Sequence, residues 1–206
     1  GDGDGDGVVL VKRRGPGSKF VVPEGWVARA FKFELEWPDD PSKVRQHFGA
    51  RRMAFNWALG QVKADMDARS ENPAHVSVPW NAYALRKQWN LDKIEVAPWW
   101  SECSKEAYAT GIADCVTALG NWKASRAGTR RGAKVGFPQF KSRRKDRGRV
   151  RFTTGSIRCN PDRRSVVLPV VGVLRSKENT RRLERLVVCG RARILNATLT
   201  ERWGRL

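Results

Sequence analysis

Residues 134–157 read KVGFPQFKSRRKDRGRVRFTTGSI, and the chain changes character across them. Before this stretch, apolar residues recur at helical spacing. After it they come in short β-branched and aromatic runs broken by turn signals. Within it the helical period is lost, and Arg and Lys crowd around Phe137, Phe140 and Phe152. Of the thirteen charged side chains from Lys123 to Arg151, twelve are positive.

Downstream, RVRFTT (149–154), SIRC (156–159), SVVLPVVGVLR (165–175) and RARILNATLT (191–200) predict strands, with a turn at Asn160-Pro161-Asp162. SKENTRRLERLVVCG predicts a short helix stopped by Gly190. Upstream, a strand is expected within 21–36, where WVARAFKFELE alternates imperfectly from Trp26. Ser42 then caps a helix to about Arg69, with Val44, Phe48, Met53, Phe55, Trp57, Leu59 and Val62 available for burial and Gly49 a potential break. A second helix begins near Trp80 with Tyr83, Ala84, Trp89 and Leu91, and Pro98 interrupts at APWW. A third, from about Ser101 to Ala127, carries Ala107, Tyr108, Ile112, Cys115, Val116, Leu119 and Trp122 near 3.6 periodicity. One strand before the helices and several after them predict an α+β fold, a small β-barrel with a helical bundle inserted. The expected divisions are a flexible arm at 1–20, the first barrel strand at 21–36, helices at 37–129 and the rest of the barrel at 130–206. The Gly-Asp repeats that open the arm lack the ligand spacing of a calcium loop and read as a solvated tail.

The chain has 206 residues and a net charge of +19. Residues 1–122 are balanced, while residues 123–206 hold twenty-four basic and five acidic side chains, so the whole excess sits there. Charge at that density repels itself unless a polyanion relieves it, and nucleic acid is the obvious polyanion. Lys134, Lys141, Arg143, Arg144, Lys145, Arg147, Arg149 and Arg151 are candidate phosphate contacts, beside Phe137 and Gln139. Phe137 and Phe140 serve either as barrel-core anchors or as stacking surfaces. Six to eight phosphate contacts would give log K a slope of roughly −4 to −7 against log salt. Trp57, Trp89 and Trp122 fall on apolar faces. Trp80, Trp99 and Trp100 lie at helix boundaries, where packing competes with base stacking.

Catalytic signals are lacking. Cys103, Cys115, Cys159 and Cys189 are 12, 44 and 30 residues apart, without a CxxC pair. His47 and His75 do not complete a zinc set, so no metal and no cofactor is expected. Asp65 and Asp67 point different ways on a helix, and Ser101, Cys103 and Ser104 have no nearby His in sequence. With no membrane-spanning run and no signal segment, a cytoplasmic protein is expected.

The strings ARRMAFNWAL (50–59), KVGFPQFKSRR (134–144), RFTTGSI (151–157), VVLPVVGVLR (166–175) and ARILNATLT (192–200), in this order and spacing, resemble the N-terminal half of the TnpB proteins. These are the OrfB "transposases" of insertion sequences, similar to ancestors of compact type V CRISPR effectors. The resemblance implies a wedge domain, an oligonucleotide-binding-like barrel, split by a helical recognition domain. It implies guide RNA and double-stranded target DNA as partners, with base pairing reading sequence and the protein reading shape and a short flanking motif. By motif position the flank readers would be Trp80, Ala84, Lys105, Thr153 and Thr154, while 134–151 would hold RNA. In the family a RuvC-like nuclease domain follows this half. The sequence stops at ERWGRL, so no cleavage is expected of this chain alone, and a separate RuvC-like chain or a homodimer partner are alternatives; an exposed apolar edge near Ile194–Leu199 would favour the former. A guide-independent helix-turn-helix within 42–90 is the rival reading.

Overall fold

The computed structural model describes residues 7–9 (backbone only), 22–77, 80–153, 156–202 and 206. Most of the arm at 1–20, and Thr154, lie outside the described residues. The chain divides into two compact units: residues 46–147 form one, and residues 1–45 with 148–206 form the other.

The 46–147 unit is built on three helices. Helix α1 (Ser42–Glu71) runs unbroken through Gly49, against the expected break. Its interior contributes Phe48, Phe55, Leu59 and Val62, all buried, with Ala50, Ala54 and Ala58 fully enclosed. Small residues at i, i+4 and i+8 let another helix approach closely. Helix α2 (Ala82–Val96) starts two residues later than Trp80, because Asn81 is the cap: its side chain accepts from the Ala84 amide at 2.9 Å. Only Leu85 and Trp89 of α2 are buried, which places Trp89 on an apolar face as expected, while Tyr83 and Leu91 are exposed. Each stands two residues, or about 200° of helix, from the buried line. Pro98 ends α2 as expected, and a single 3-10 turn (Trp100–Glu102) leads to α3 (Lys105–Arg126). Ser104, not Ser101, caps α3. Ala107, Tyr108, Ile112, Cys115 and Leu119 of α3 are buried, Trp89 stacks on Tyr108 at 5.0 Å, and Trp57 meets Trp89 edge-on at 5.3 Å.

The second unit is mainly β. Strand β1 (Gly7–Val9) pairs in parallel with β2 (Trp26–Ala28) and with β7 (Ala192–Arg193). Three residues of the expected loose arm are thus the middle strand of a sheet. Beyond β2 the expected strand loses regular pairing until Glu34–Glu36. There the amides of Glu36 and Lys177 bond to the carbonyls of Arg175 and Glu34, at 2.9 Å each, around a Leu35–Ser176 bridge. Strand β3 (Arg149–Phe152) pairs antiparallel with β8 (Ala197–Thr200), Val150 opposite Leu199. Strands β4 (Arg158–Cys159), β5 (Ser165–Leu168) and β6 (Gly172–Arg175) form an antiparallel sheet joined by tight turns, the first at the expected Asn160-Pro161-Asp162. Helix α4 (Arg181–Val188) follows, and Gly190, at φ 71°, ends the segment as expected. Leu35, Val44, Val150, Phe152, Leu168, Leu174, Leu183 and Leu199 make the core. With Leu199 buried and Ile194 half-buried, 194–199 is not an exposed apolar edge, the feature that would have favoured a separate RuvC-like chain. Hydrogen bonding among the described residues gives three small sheets and no closed barrel.

The connection from α1 to α2 runs from Asn72 to Asn81, ten residues. A helix-turn-helix uses a turn of three or four residues, so the rival motif in 42–90 does not form.

Candidate nucleic-acid interface

The basic tract belongs in part to the helical unit, and the structure shows how it is fastened there. At 134–147 the chain has no regular structure, so its backbone groups need side-chain partners. Asn56 on α1 supplies two: its Nδ2 donates to the Lys141 carbonyl at 2.9 Å, and its Oδ1 accepts from the Lys141 amide at 2.8 Å. Ser125 Oγ accepts from the Val135 amide at 3.1 Å. Phe137, expected as a possible barrel anchor, packs edge-on against Trp122 of α3 at 4.9 Å. The tract is therefore pinned to α1 and α3 at several points.

Beneath it lies an ion network that the sequence did not reveal. Arg51 is 5% exposed, and its guanidinium donates to Asp114 Oδ2 at 2.6 Å and to Asp146 Oδ1 at 2.8 Å. Lys141 Nζ reaches the same Asp146 oxygen at 3.0 Å and lies 4.5 Å from the centre of the Phe55 ring. Asp146, the one acidic residue of the tract, is thus its internal anchor. Two cations on one buried carboxylate settle its charge. Lys141 is turned inward onto this anchor.

The remaining cations point outward. Lys134, Arg143, Arg144 and Lys145 are exposed, without side-chain partners among the described residues, and Gln139 and Arg147 are exposed too. Phe140 is 54% exposed, with Lys63 Nζ 5.1 Å from its ring centre. Free guanidiniums on a clamped backbone are preorganised for phosphate, because little further ordering is needed on binding.

In the other unit, β3 alternates. Val150 and Phe152 are fully buried, which sends Arg149 and Arg151 to the opposite face, across from Thr200 and Thr198. Arg149 is exposed and Arg151 half-buried. Thr153 follows the strand, half-buried; Thr154 is not described.

Of the expected flank readers, Trp80 and Ala84 stand on either side of the Asn81 cap. The Trp80 indole is held firmly: Nε1 donates to the buried Asp65 at 2.9 Å, and Lys123 Nζ lies 4.6 Å from the ring centre. Asp65 also bonds His75 Nε2 at 2.9 Å, so one carboxylate ties the 72–80 connection to α1. Lys105 is exposed at the first turn of α3. Trp99 tilts against Tyr108 at 6.3 Å, and Lys93 Nζ caps the Trp100 face at 3.8 Å, so both rings are engaged within the unit.

The structure corrects one point about catalysis. His47 does come close to Ser104, but its Nε2 accepts the Ser104 backbone amide at 3.0 Å in a fully buried setting. It supports the start of α3, with its Nε2 lone pair taken up by that amide. Among the described residues no group of three or more His, Cys, Asp or Glu side chains could hold a metal ion. No helix there is long and apolar enough to cross a membrane.

No family model matches the chain. Two curated proteins from two strains of Mycobacterium tuberculosis, each named "Putative RNA-guided DNA endonuclease", are 46% identical to it over 197 residues. The match covers 92% of this chain and 43% of each relative, so the chain spans less than half the length of the curated relatives it matches.

Proposed function

We propose that this chain, a relative of RNA-guided DNA endonucleases as its resemblance to the TnpB proteins implies, is a part of such a protein that holds guide RNA and engages target DNA. The observation that carries the reading is the combination of that homology with a basic tract whose backbone is clamped while Arg143, Arg144 and Lys145 face outward. A protein that leaves sequence reading to base pairing needs mainly phosphate contacts, and the tract offers cations of that kind.

In this reading Lys134, Arg143, Arg144, Lys145 and Arg147 hold guide-RNA phosphates, with Arg149 and Arg151 doing the same from β3. Phe140 offers a face for an unpaired base. Trp80, Ala84, Lys105, Thr153 and Thr154 read the motif beside the DNA target. The unit of 1–45 and 148–206 is the wedge, an oligonucleotide-binding-like barrel in type, and the helical unit is the recognition domain. Interruption of the first unit by the second in sequence supports that division.

The test is to purify the chain at moderate salt and sequence the nucleic acid that travels with it. One defined RNA with a structured scaffold is the expected result. A random mixture of RNA and DNA, stripped by salt, would overturn the reading.

A further inference from the structure

A second concentration of positive charge is found in the mainly β unit. It is an open basin of about 750 Å³ beside α4, lined by Arg29, Arg181, Arg182, Arg185, Arg191 and the amide of Asn179. Leu183, 4% exposed, drives one face of α4 into the core and so commits the arginines at positions 181, 182 and 185 to the outside. Arg181 and Arg185 are one helical turn apart, as are Arg182 and Arg185, and like charges at these spacings oppose helix formation. Among the described residues their guanidiniums find no side-chain partner and no carboxylate lines the basin. Glu184, three residues after Arg181, offsets part of this repulsion, and an external anion would relieve the rest.

The kind of anion follows from what the basin lacks. Its lining among the described residues is arginine with Asn179, Leu186 and Cys189, and holds no aromatic ring. Single-stranded nucleic acid is usually held by stacking its bases on aromatic side chains, with cations tracking the backbone. A duplex buries its bases and presents about one charge per 1.7 Å of axis, which suits several guanidiniums crowded around one depression. The three forked donors of α4, Arg181, Arg182 and Arg185, also fit phosphate oxygens better than a lone flexible ammonium would.

We infer that the α4 basin is a second nucleic-acid contact, a sequence-independent grip on the phosphate backbone of a double-helical segment. The inference rests on the proposed function for the premise that the chain binds nucleic acid, and it adds a site and a ligand form that the tract does not supply. The grip needs no particular base order, so a folded RNA stem and a DNA duplex share the required chemistry.

The test compares the full chain with two triple variants, Arg181→Gln/Arg182→Gln/Arg185→Gln in the basin and Arg143→Gln/Arg144→Gln/Lys145→Gln in the tract. Arg29 and Arg191 stay untouched, since both make other interactions within the chain. The probes are an RNA hairpin, a DNA duplex of equal length and a single-stranded oligouridylate. The basin variant is expected to lose about tenfold or more in affinity for a helical probe, with its salt slope smaller by roughly 2 to 3, near 0.9 for each phosphate contact removed. Its affinity for oligouridylate should stay within about twofold of the parent protein. Loss on the hairpin alone assigns the grip to RNA, and loss on both duplexes makes it indifferent to the sugar. Unchanged duplex binding, or an equal loss on all three probes, overturns the inference. So does complete displacement of the duplexes by inorganic phosphate at constant ionic strength, which would mark a small-anion site. A protein that binds none of the probes would sink the proposed function as well. Loss confined to the tract variant would sink only the basin. The single variant Arg182→Gln, expected to lower the slope by about 1, checks that the triple change acts through charge and not through the fold.

Discussion

Gly111 of α3 lies directly against the backbone of Arg51 on α1, so closely that a Cβ added to Gly111 would overlap the Arg51 carbonyl oxygen. The same Cβ would come within 3.0 Å of the Ala54 Cβ and the Phe55 amide nitrogen. None of these atoms is the end of a flexible side chain, so the two helices would have to part. Gly111→Ala should therefore destabilise the helical unit by about 3 kcal/mol, although alanine is the better helix former. Thermal unfolding checks the sign, since helix propensity alone predicts a gain.

The same residue, Arg51, ties the tract down through Asp146. Arg51→Met leaves Asp114 and Asp146 without their shared cation, and loss of one partner from a buried ion network costs about 3 to 5 kcal/mol. Asp146→Asn is the more informative change, because it removes the anchor while keeping every outward cation. It should raise amide exchange across 141–147 and weaken RNA binding severalfold at constant salt, with the salt slope unchanged. A reduced slope would show that Asp146 arranges phosphate contacts directly.

What the sequence disclosed was local. The periods of α1 and α3, the alternation of Val150 and Phe152 and the stop at Gly190 are short-range patterns, and they appear where expected. The buried face of α2 is harder to read, because Tyr83 and Leu91 are as apolar in composition as Leu85 and Trp89, and only packing against α3 selects the latter pair. Gly49 was overread, since a helix packed on both sides of a glycine absorbs its propensity cost. The Arg51–Asp146 pair spans 95 residues and the Leu35–Ser176 bridge still more. Such pairings depend on the completed fold. The arginines of α4 were counted in the charge excess, but their convergence with Arg29 was not, because residue spacing carries no record of it.

Val170, in the turn between β5 and β6, has a φ of 66°. A β-branched residue is ill suited to the left-handed region, where the crowding of Cβ costs roughly 1 to 2 kcal/mol. The side chain is 54% exposed and offers little packing to offset that strain. Val170→Asn, a residue that tolerates this conformation, should stabilise the unit by about 1 kcal/mol and raise its melting temperature by a few degrees. An unchanged or lower midpoint would mean that the Val170 side chain contributes packing the turn depends on.

Alkaline pH tests the core of the helical unit. Burial pushes the Cys115 thiol up to about 12, and the nearby Lys141 ammonium, which favours the thiolate, does not outweigh it. Burial likewise raises the Tyr108 hydroxyl, which donates to the Trp100 carbonyl at 3.1 Å. A thiol that ionises near 8.5 in the unfolded chain and near 12 in the folded one favours folding fully below the lower value. That contribution disappears as pH rises through the upper one, because the unfolded state sheds its proton first. Stability should therefore fall between about pH 9 and pH 12, and Cys115→Ala should flatten that fall, leaving the part due to Tyr108. Denaturant midpoints measured across this range give the slope directly, apart from any loss of packing that alanine causes at neutral pH. Thiol labelling at neutral pH supplies an independent check. Cys189 is exposed and should react at once, whereas the buried Cys103 and Cys115 should react only as fast as the unit opens.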